Sequence, residues 1–304
     1  MLAQNWMVVA FIAPMLWALV NLIDLFLAKE VFADEEEAAA IIGIFGLLPW
    51  ISIIVWGIPE VNITMAGLSI IGGLLFAIYT FYYFRSLFVS GDATLVMIMI
   101  NVSGLTVPLM AAMLMHERLT AIKYLAIIIV VIGSVAVGLG SRVIYKEAKS
   151  ILKPMTFAII ALSLSMVAEG RVYQEVGFRS GLLFFSLGIF LGGVFFCSKR
   201  FFQGKKMFRF NVVTGPGLVV VESINLLAVI CSQYAIKISP SVSYVATIET
   251  TLPTFIILFS LIGYGISTLF GSAKYVPILT QQLSGYKGKL IAIIVVAYGV
   301  YLLG

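Results

Sequence analysis

The chain contains the apolar stretch Lys123-Tyr-Leu-Ala-Ile-Ile-Ile-Val-Val-Ile-Gly133, and it contains a similar one at Lys289-Leu-Ile-Ala-Ile-Ile-Val-Val-Ala-Tyr-Gly299. Each belongs to a run long enough for a helix that crosses a bilayer. The rest of the chain has the same character, because 62% of its 304 residues are hydrophobic, 11% are charged and the mean hydropathy is +1.11. Soluble domains are about 45–50% apolar and about 25% charged. The sequence therefore excludes a water-soluble fold and predicts an integral membrane protein.

Ten apolar runs, separated by short polar or Gly/Pro breaks, predict ten transmembrane helices. Strands of a membrane barrel would be shorter and would alternate in polarity, so the predicted fold class is all-α integral membrane. The predicted spans are residues 6–28, 38–57, 65–88, 92–115, 119–140, 151–172, 178–197, 213–237, 241–264 and 288–303.

The first five spans resemble the second five. The segment that begins at Asp24 aligns with the one that begins at Glu169, and the same offset of 145 residues places Pro108 on Pro253. Because five crossings are an odd number, the two halves must enter the membrane from opposite faces. We therefore predict inverted repeats, an arrangement in which transporters carry a central site at the repeat interface and work by alternating access.

The repeat also predicts the domain boundaries. Residues 123–133 align with residues 289–299 at an offset of 166, so 21 additional residues fall in the connection at about 265–287. We expect a first five-helix repeat at residues 1–145 and a second at residues 146–304, with the inserted loop in the second.

The distribution of Lys and Arg predicts the orientation in the membrane. Loops on the face that carries the N-terminus hold five of these residues, and loops on the opposite face hold fourteen. Positively charged loops stay in the cytoplasm, so we expect both termini outside. The formal net charge of +5 is then loop charge, and no nucleic-acid partner is expected.

Short motifs follow the third, fourth and eighth spans. Residues 91–95 are Gly-Asp-Ala-Thr-Leu, residues 116–120 are His-Glu-Arg-Leu-Thr and residues 239–243 are Ser-Pro-Ser-Val-Ser. Together with Pro108, Pro253 and the ten-span layout, they resemble the drug/metabolite transporter superfamily, specifically its EamA-type transporters with two five-helix halves. The resemblance covers nearly the whole chain. It implies export or exchange of a small metabolite such as an amino acid. Other branches of the superfamily carry nucleotide sugars or lipid-related substrates. The resemblance also implies a location in a prokaryotic plasma (inner) membrane.

Carboxylates inside the spans are the first candidates for substrate binding or proton coupling. An ionisable side chain in hydrocarbon costs about 2.5–3.5 kcal/mol, so those that remain are candidates for function. Glu222 in the eighth span and Glu249 in the ninth both fall near the middle of the bilayer and could face one cavity. The alternative for each is a protonated side chain that is hydrogen-bonded to a neighbouring helix.

Prolines are expected to break two of the spans. Pro253 frees the carbonyl of Glu249, with Thr247 on the same helix, and Pro108 breaks the fourth span near Asn101. A broken helix with free carbonyls near the midplane is how transporters form polar sites.

A repeat-related acidic pair ends the first and sixth spans. Asp24 and Glu169 are expected near opposite membrane boundaries, where with Arg171 they would gate the pathway or form structural ion pairs. Because Arg171 is two residues from Glu169 it points elsewhere on the helix, and Glu175 is its expected partner. The alternative is solvated interfacial charge.

Aromatic side chains could cradle a cation. Tyr79, Tyr82 and Tyr83 have the i, i+3, i+4 spacing of one helix face, and Trp17 and Tyr244 lie in other spans. Packing and interfacial anchoring are the alternative roles for such residues.

Several signatures bear on the class of function. The basic and aromatic segment at 198–210 is expected to lie on anionic lipid headgroups, or only to mark the cytoplasmic face. The chain has no Walker-type loop for ATP, and His116 is its only histidine, so no metal site, cofactor or nucleophilic triad is expected.

These features predict a secondary transporter of a small polar metabolite, most plausibly an amine or an amino acid, with possible proton coupling. The alternative is a translocase of a lipid or lipid-linked headgroup, and an integral membrane enzyme is disfavoured. The sequence does not determine the oligomeric state, the coupling ion or the direction of transport.

Overall fold

The computed structural model describes residues 5–91, 93–139, 145–206, 215–269 and 286–304. The regular elements in these ranges are all helical, and no strand occurs among them. Nine segments of this described part are long and apolar enough to cross a membrane. The prediction of an α-helical integral membrane protein is therefore confirmed.

Three of the nine apolar segments are interrupted helices and six are continuous. A π-helical turn at Leu27–Val31 follows α1, and a 3₁₀ turn at Leu48–Ile51 connects α2 to α3. The α-helices are α1 (Asn5–Phe26), α2 (Glu35–Phe45), α3 (Ser52–Trp56), α4 (Ile63–Ser90), α5 (Ala93–Ile100), α6 (Ser103–Leu114), α7 (Ala121–Leu139), α8 (Tyr145–Glu175), α9 (Phe178–Phe202), α10 (Gly215–Ile238), α11 (Val242–Glu249), α12 (Leu252–Leu269) and α13 (Tyr286–Leu303).

The inserted connection is shorter than predicted. Residues 265–287 were expected to form a loop, but α12 continues to Leu269 and α13 begins at Tyr286. The remaining residues, 270–285, lie outside the described ranges. The tenth predicted span, 288–303, coincides with α13.

Short polar side chains begin three of the helices. Asp34 accepts a hydrogen bond from the backbone N–H of Glu37 at the start of α2, Asn62 caps α4 and Ser241 caps α11. Each side chain satisfies a first-turn N–H group that has no partner within its own helix. The acidic residues in the first turn of α2 also suit the positive end of its dipole.

Glycines allow α9 to pack closely against two other helices. A Cβ on Gly193 would lie only 2.6 Å from the Cα of Gly43 in α2, and a Cβ on Gly192 would lie 2.3 Å from the Cβ of Ala77 in α4. In lipid, small residues let helix backbones approach to contact distance. The position of α9 therefore depends on the absence of side chains at these sites.

The helices α7 and α13 pack antiparallel along their length. A Cβ on Gly133 would lie 2.8 Å from Val296, and a Cβ on Gly299 would lie 2.7 Å from Val130. At one end of the pair, the Lys123 ammonium donates to the carbonyls of Leu302 and Leu303 at 3.1 and 2.8 Å. A cation at a helix C-terminus is favourable because the carbonyls there have no helical partners.

The two ends of the described chain lie on the same face of the bundle. A Cβ on Gly304 would lie 3.0 Å from the Cε of Met7 in the first turn of α1. The first helix therefore begins on the face where the last helix ends.

Candidate functional site

A cavity lies in the middle of the bundle, between α1, α4 and the interrupted helices α5–α6 and α11–α12. It offers about 90 Å³ to the centre of a water-sized sphere, and one water needs only about 10–15 Å³ of such space. None of the described residues that line it is Lys, Arg or His. Six of the predicted site residues line it: Trp17, Asp24, Tyr79, Tyr83, Asn101 and Glu249.

Asp24 belongs to the wall of this cavity and not to the membrane boundary. Its carboxylate oxygen lies 2.8 Å from the hydroxyl of Tyr83, which is also 2.5 Å from the side-chain oxygen of Asn21. One hydroxyl has one proton, so it donates to one of these oxygens at a time. Asp24 is only 6% exposed, and the expectation of a solvated interfacial charge is wrong at this position.

A row of polar side chains leads from Asp24 towards Glu222. Asn21 donates to the carbonyl of Trp17 at 2.7 Å, and the Trp17 indole N–H donates to Asn225 at 3.1 Å. The amide of Asn225 in turn donates to Glu222 at 3.2 Å. These contacts connect α1 with α10 through the side of the cavity.

Glu222 and Glu249 do not share one cavity. Glu222 is 2% exposed and lines a second, smaller cavity with Ile42, Gly46 and Val229, whereas Glu249 lines the central one. Asn225 lies in the wall of both. The two carboxylates are thus separated by Asn225, because they project from different helices to different sides of it.

Glu249 lies at the break between α11 and α12. Its carboxylate accepts a hydrogen bond of 2.6 Å from Ser232 in α10, and the side chain remains partly exposed to the cavity. The next two residues interrupt the helix, with the N–H groups of Thr250 and Thr251 each bonded to a carbonyl three residues back. Pro253 is the second residue of α12, a position where a missing N–H costs little.

The other interrupted helix breaks earlier than predicted. The break between α5 and α6 comes at Asn101 and Val102, whereas Pro108 lies inside α6. The prediction that Pro108 marks the break is therefore wrong in position. Asn101 is 3% exposed, and its side-chain nitrogen has no hydrogen-bond partner among the described residues.

Two predicted aromatic residues and one threonine lie away from the cavity. Tyr82 stacks on Phe157 in α8, with ring centroids 5.3 Å apart, so the tyrosines of α4 do not act as one face. Tyr244 stacks on Trp6. The hydroxyl of Thr247 donates to the carbonyl of Ser243, as hydroxyls inside helices commonly do.

Glu169 is sealed between α8 and α4. It is fully buried, and the hydroxyl of Ser69 lies 3.1 Å from one of its carboxylate oxygens. Gly72 leaves the space that the carboxylate occupies, since a Cβ there would lie 2.6 Å from it. Arg171 does not contact Glu169, but forms an exposed ion pair with Glu175 at 2.5 Å. Solvated charge is therefore wrong for Glu169, whereas Arg171 is exposed and pairs with Glu175 as the sequence spacing predicts.

The basic segment after α9 is paired with the acidic start of α2. Lys199 lies 2.7 Å from Glu36, and Lys205 lies 2.7 Å from Glu36 and 3.2 Å from Asp34. The buried guanidinium of Arg200 pairs with Asp34 and lies 3.7 Å from Glu37. We call these six side chains the ion-pair cluster. Residues 207–210 of the predicted lipid-binding segment lie outside the described ranges.

The ion-pair cluster alters the ionisation of groups outside the spans. Burial alone would raise the pKa of Asp34, but the backbone N–H of Glu37, the ammonium of Lys205 and the charge of Arg200 outweigh it and lower the pKa. The hydrogen bond to Glu36 raises the pKa of Lys205, against the effect of burial. Both groups therefore keep their charges over a wide range of pH.

Sequence reasoning missed Asn225 in the cavity wall. Asn225 follows Glu222 by three residues on one helix, so their shared face was a usable signal. Thr250, which the sequence places among the polar residues around Glu249, also lies in this wall, where a Cβ on Gly104 would lie 2.5 Å from its methyl group. The described residues contain no cluster of His, Cys, Asp and Glu suited to a metal ion.

Comparisons with known proteins support the fold and nothing finer. No protein-family model matches the chain, and no curated protein matches it. Among solved structures, 25 chains match. One of them, described only as a crystal structure of a protein, is 15% identical and superposes with a TM-score of 0.70 over 99% of this chain and 98% of its own. At that identity the likeness shows a shared fold.

Proposed function

We propose that this protein is a secondary transporter of a small amine or amino acid, which works by alternating access. The observation that carries the proposal is the central cavity, in which two carboxylates and five aromatic side chains meet beside two interrupted helices. Broken helices that surround a polar cavity near the midplane are typical of secondary transporters.

The charge of the cavity favours a cationic cargo. Asp24 and Glu249 both face it, and none of the described residues in its wall has a basic side chain. Trp17, Tyr79 and Tyr83 add ring faces that attract a cation. A simple anion would meet two carboxylates without a compensating charge, so the cavity should reject it.

The size of the cavity favours a small cargo over a lipid. At about 10–15 Å³ for each water-sized group, its 90 Å³ would hold roughly six to nine of them. Lys199, Arg200 and Lys205, which could otherwise meet lipid headgroups, are engaged with carboxylates of α2. Both observations make translocation of a lipid the weaker alternative.

Contacts between α7 and α13 support the proposal of two inverted five-helix repeats. In the repeat alignment Val130 corresponds to Val296 and Gly133 to Gly299. Gly133 packs on Val296 while Gly299 packs on Val130, which is the reciprocal pattern of a two-fold axis. Each half also contains an interrupted helix. The two chain ends lie on one face, which agrees with ten crossings because ten is an even number.

The remaining expectations from the sequence form part of the proposal. We propose membership of the drug/metabolite transporter superfamily, on the motifs and the layout described above. The distribution of Lys and Arg favours termini outside the cell and the ion-pair cluster on the cytoplasmic face of a prokaryotic plasma membrane. Proton coupling is proposed for Glu249, because its side chain is more exposed than that of Asp24, the other carboxylate that lines the central cavity.

Reconstitution of the purified protein into liposomes tests the proposal. We expect flux of radiolabelled amines or amino acids that responds to an imposed pH gradient. Glu249→Gln should abolish the flux or remove its pH dependence, because it removes the charge that faces the cargo. Glu175→Gln is the matched control, since Glu175 is exposed and pairs only with Arg171 in the described structure. Wild-type flux from Glu249→Gln would contradict the proposal.

A further inference from the structure

One polar group in the wall of the central cavity has no partner within the described protein. The side-chain nitrogen of Asn101 is buried and makes no hydrogen bond there, although the residue lines the cavity. A buried donor without a partner costs about 1–3 kcal/mol. Such a group at a binding site is satisfied by the ligand, so the ligand should present a hydrogen-bond acceptor to Asn101.

The backbone around Asn101 does not provide for an anionic acceptor. The N-terminus of α6 begins two residues later, and a free helix N-terminus would favour a carboxylate. Three N–H groups of its first turn are already bonded, however. Gly104 donates to the carbonyl of Asn101, and Leu105 and Thr106 both donate to the carbonyl of Val102. These three groups are therefore not available to an acceptor on the ligand, which would meet the neutral amide of Asn101.

The cavity also repels a negative charge. Asp24 and Glu249 contribute two carboxylates, and the described lining contains no cation to balance a third. An amino acid zwitterion would bring its own carboxylate into this field. A ligand with an amine and an uncharged oxygen would satisfy the same groups without that repulsion.

Asn101 and Glu249 lie close enough for one small molecule to contact both. Each is at the interruption of its helix, and the two interrupted helices touch where Gly104 faces Thr250. Both side chains line the same 90 Å³ cavity. The amine and the acceptor of the ligand must then be neighbouring substituents of a compact molecule.

We infer that the central cavity binds a monocation in which an uncharged hydrogen-bond acceptor lies beside the amine, such as an amino alcohol or an amino acid amide, in preference to a zwitterionic amino acid. The inference rests on the proposed function and deepens it by naming the substrate class. Asn101 acts in it as the residue that recognises the acceptor, and Glu249 with Asp24 as the residues that recognise the amine.

Four ligands that share the 3-methylbutylamine unit test the inference. They are leucinol, leucinamide, leucine and 3-methylbutylamine, and their affinities for the purified full-length protein are measured by calorimetric titration at pH 7. We expect leucinol and leucinamide to bind about threefold to tenfold more tightly than 3-methylbutylamine, which is the worth of one neutral hydrogen bond. Leucine should bind more weakly than all three.

Variants assign the preference to Asn101. Asn101→Leu keeps the branched four-atom skeleton of the side chain and removes the donor, so it should reduce the affinity for leucinol to that for 3-methylbutylamine. The affinity of 3-methylbutylamine itself should not change, which controls for damage to the cavity. Asn62→Ala is the control variant, because Asn62 is exposed at the start of α4 and lies outside the cavity lining.

Each outcome bears on one of the two proposals. If leucine binds as tightly as leucinol, or if Asn101→Leu leaves the ratio of leucinol to 3-methylbutylamine unchanged, the inferred substrate class is overturned while transport of an amine or amino acid stands. If the ligands bind in the expected order but no flux appears in liposomes, the proposed transport fails and the recognition stands.

Discussion

The close approach of α4 to α9 can be tested by adding one methyl group. A Cβ on Gly73 would lie 1.9 Å from the carbonyl oxygen of Phe185 and 2.8 Å from the Cα of Gly188. Ordinary van der Waals contact begins at about 3.4 Å, so Gly73→Ala requires the two backbones to separate by about 1.5 Å. Both neighbouring atoms belong to backbone, which cannot rotate away as a side chain could.

Gly67→Ala in the same helix is the matched control for Gly73→Ala. A Cβ on Gly67 would have no atom within 4 Å, so this variant gains only the helix propensity of alanine, about 0.5–1 kcal/mol in water. Gly73→Ala gains the same helix propensity, so the difference in stability between the two variants measures the cost of the clash alone. Overpacking of this kind costs about 1–3 kcal/mol.

The assay is the apparent unfolding temperature of both purified variants in the same detergent, followed by tryptophan fluorescence and by loss of the monodisperse peak in gel filtration. We expect Gly73→Ala to unfold at a clearly lower temperature than Gly67→Ala and the wild type. If Gly73→Ala were as stable as Gly67→Ala, the two helices would not be in backbone contact and the described packing would be refuted.

Two further predictions concern the cavity and the ion-pair cluster. Tyr83→Phe removes the hydroxyl that contacts Asp24. A hydrogen bond to a charged group is worth about 1.5–3 kcal/mol, so the affinity of the protein for an amine should fall by roughly tenfold to 150-fold. Tyr82→Phe, whose ring packs on Phe157 outside the cavity, should leave it unchanged, and equal effects of the two would refute the assignment. Asp34 has a pKa below its ordinary value of 3.8, so its ionised form stabilises the folded protein above about pH 4 and this contribution is lost as the pH falls through the folded pKa. Asp34→Asn should therefore lower the unfolding temperature at pH 7, and its difference in unfolding temperature from the wild type should narrow below pH 4. A difference that does not depend on pH would contradict this. Glu175→Gln is the control and should have little effect, because it removes only an exposed ion pair.

The tyrosines of α4 show how far the sequence pattern could predict the site. Tyr79, Tyr82 and Tyr83 share a broad helix face by their spacing, and the structure brings Tyr79 and Tyr83 to the cavity while Tyr82 faces α8. At about 100° per residue, Tyr83 lies about 40° from Tyr79 but about 100° from Tyr82. Periodicity predicts the shared face, but the rotation of α4 against its neighbours decides which residues meet the cavity.

The acidic residues show the same limit over longer distances. The spacing of Asp24 and Glu169 predicted a related pair near the membrane boundaries, but Asp24 entered the cavity and Glu169 was sealed against Ser69. Likewise Asp34 at the start of α2 pairs with Arg200 near the end of α9, across 166 residues. No local pattern encodes such pairs, because they depend on which helices become neighbours.

The amino-acid sequence is sufficient to establish the membrane environment and the helical class of this protein. Runs of about 20 apolar residues in lipid must satisfy their backbone groups internally, and a helix does so without reference to any other segment. The few polar residues within those runs were also recognisable as candidates, because each is costly to bury. Their assembly into one cavity, with Glu222 beside it and Tyr82 outside, required the tertiary structure. It depends on glycine contacts such as Gly43 with Gly193, which set the approach and rotation of the helices and leave no periodic signal in the chain.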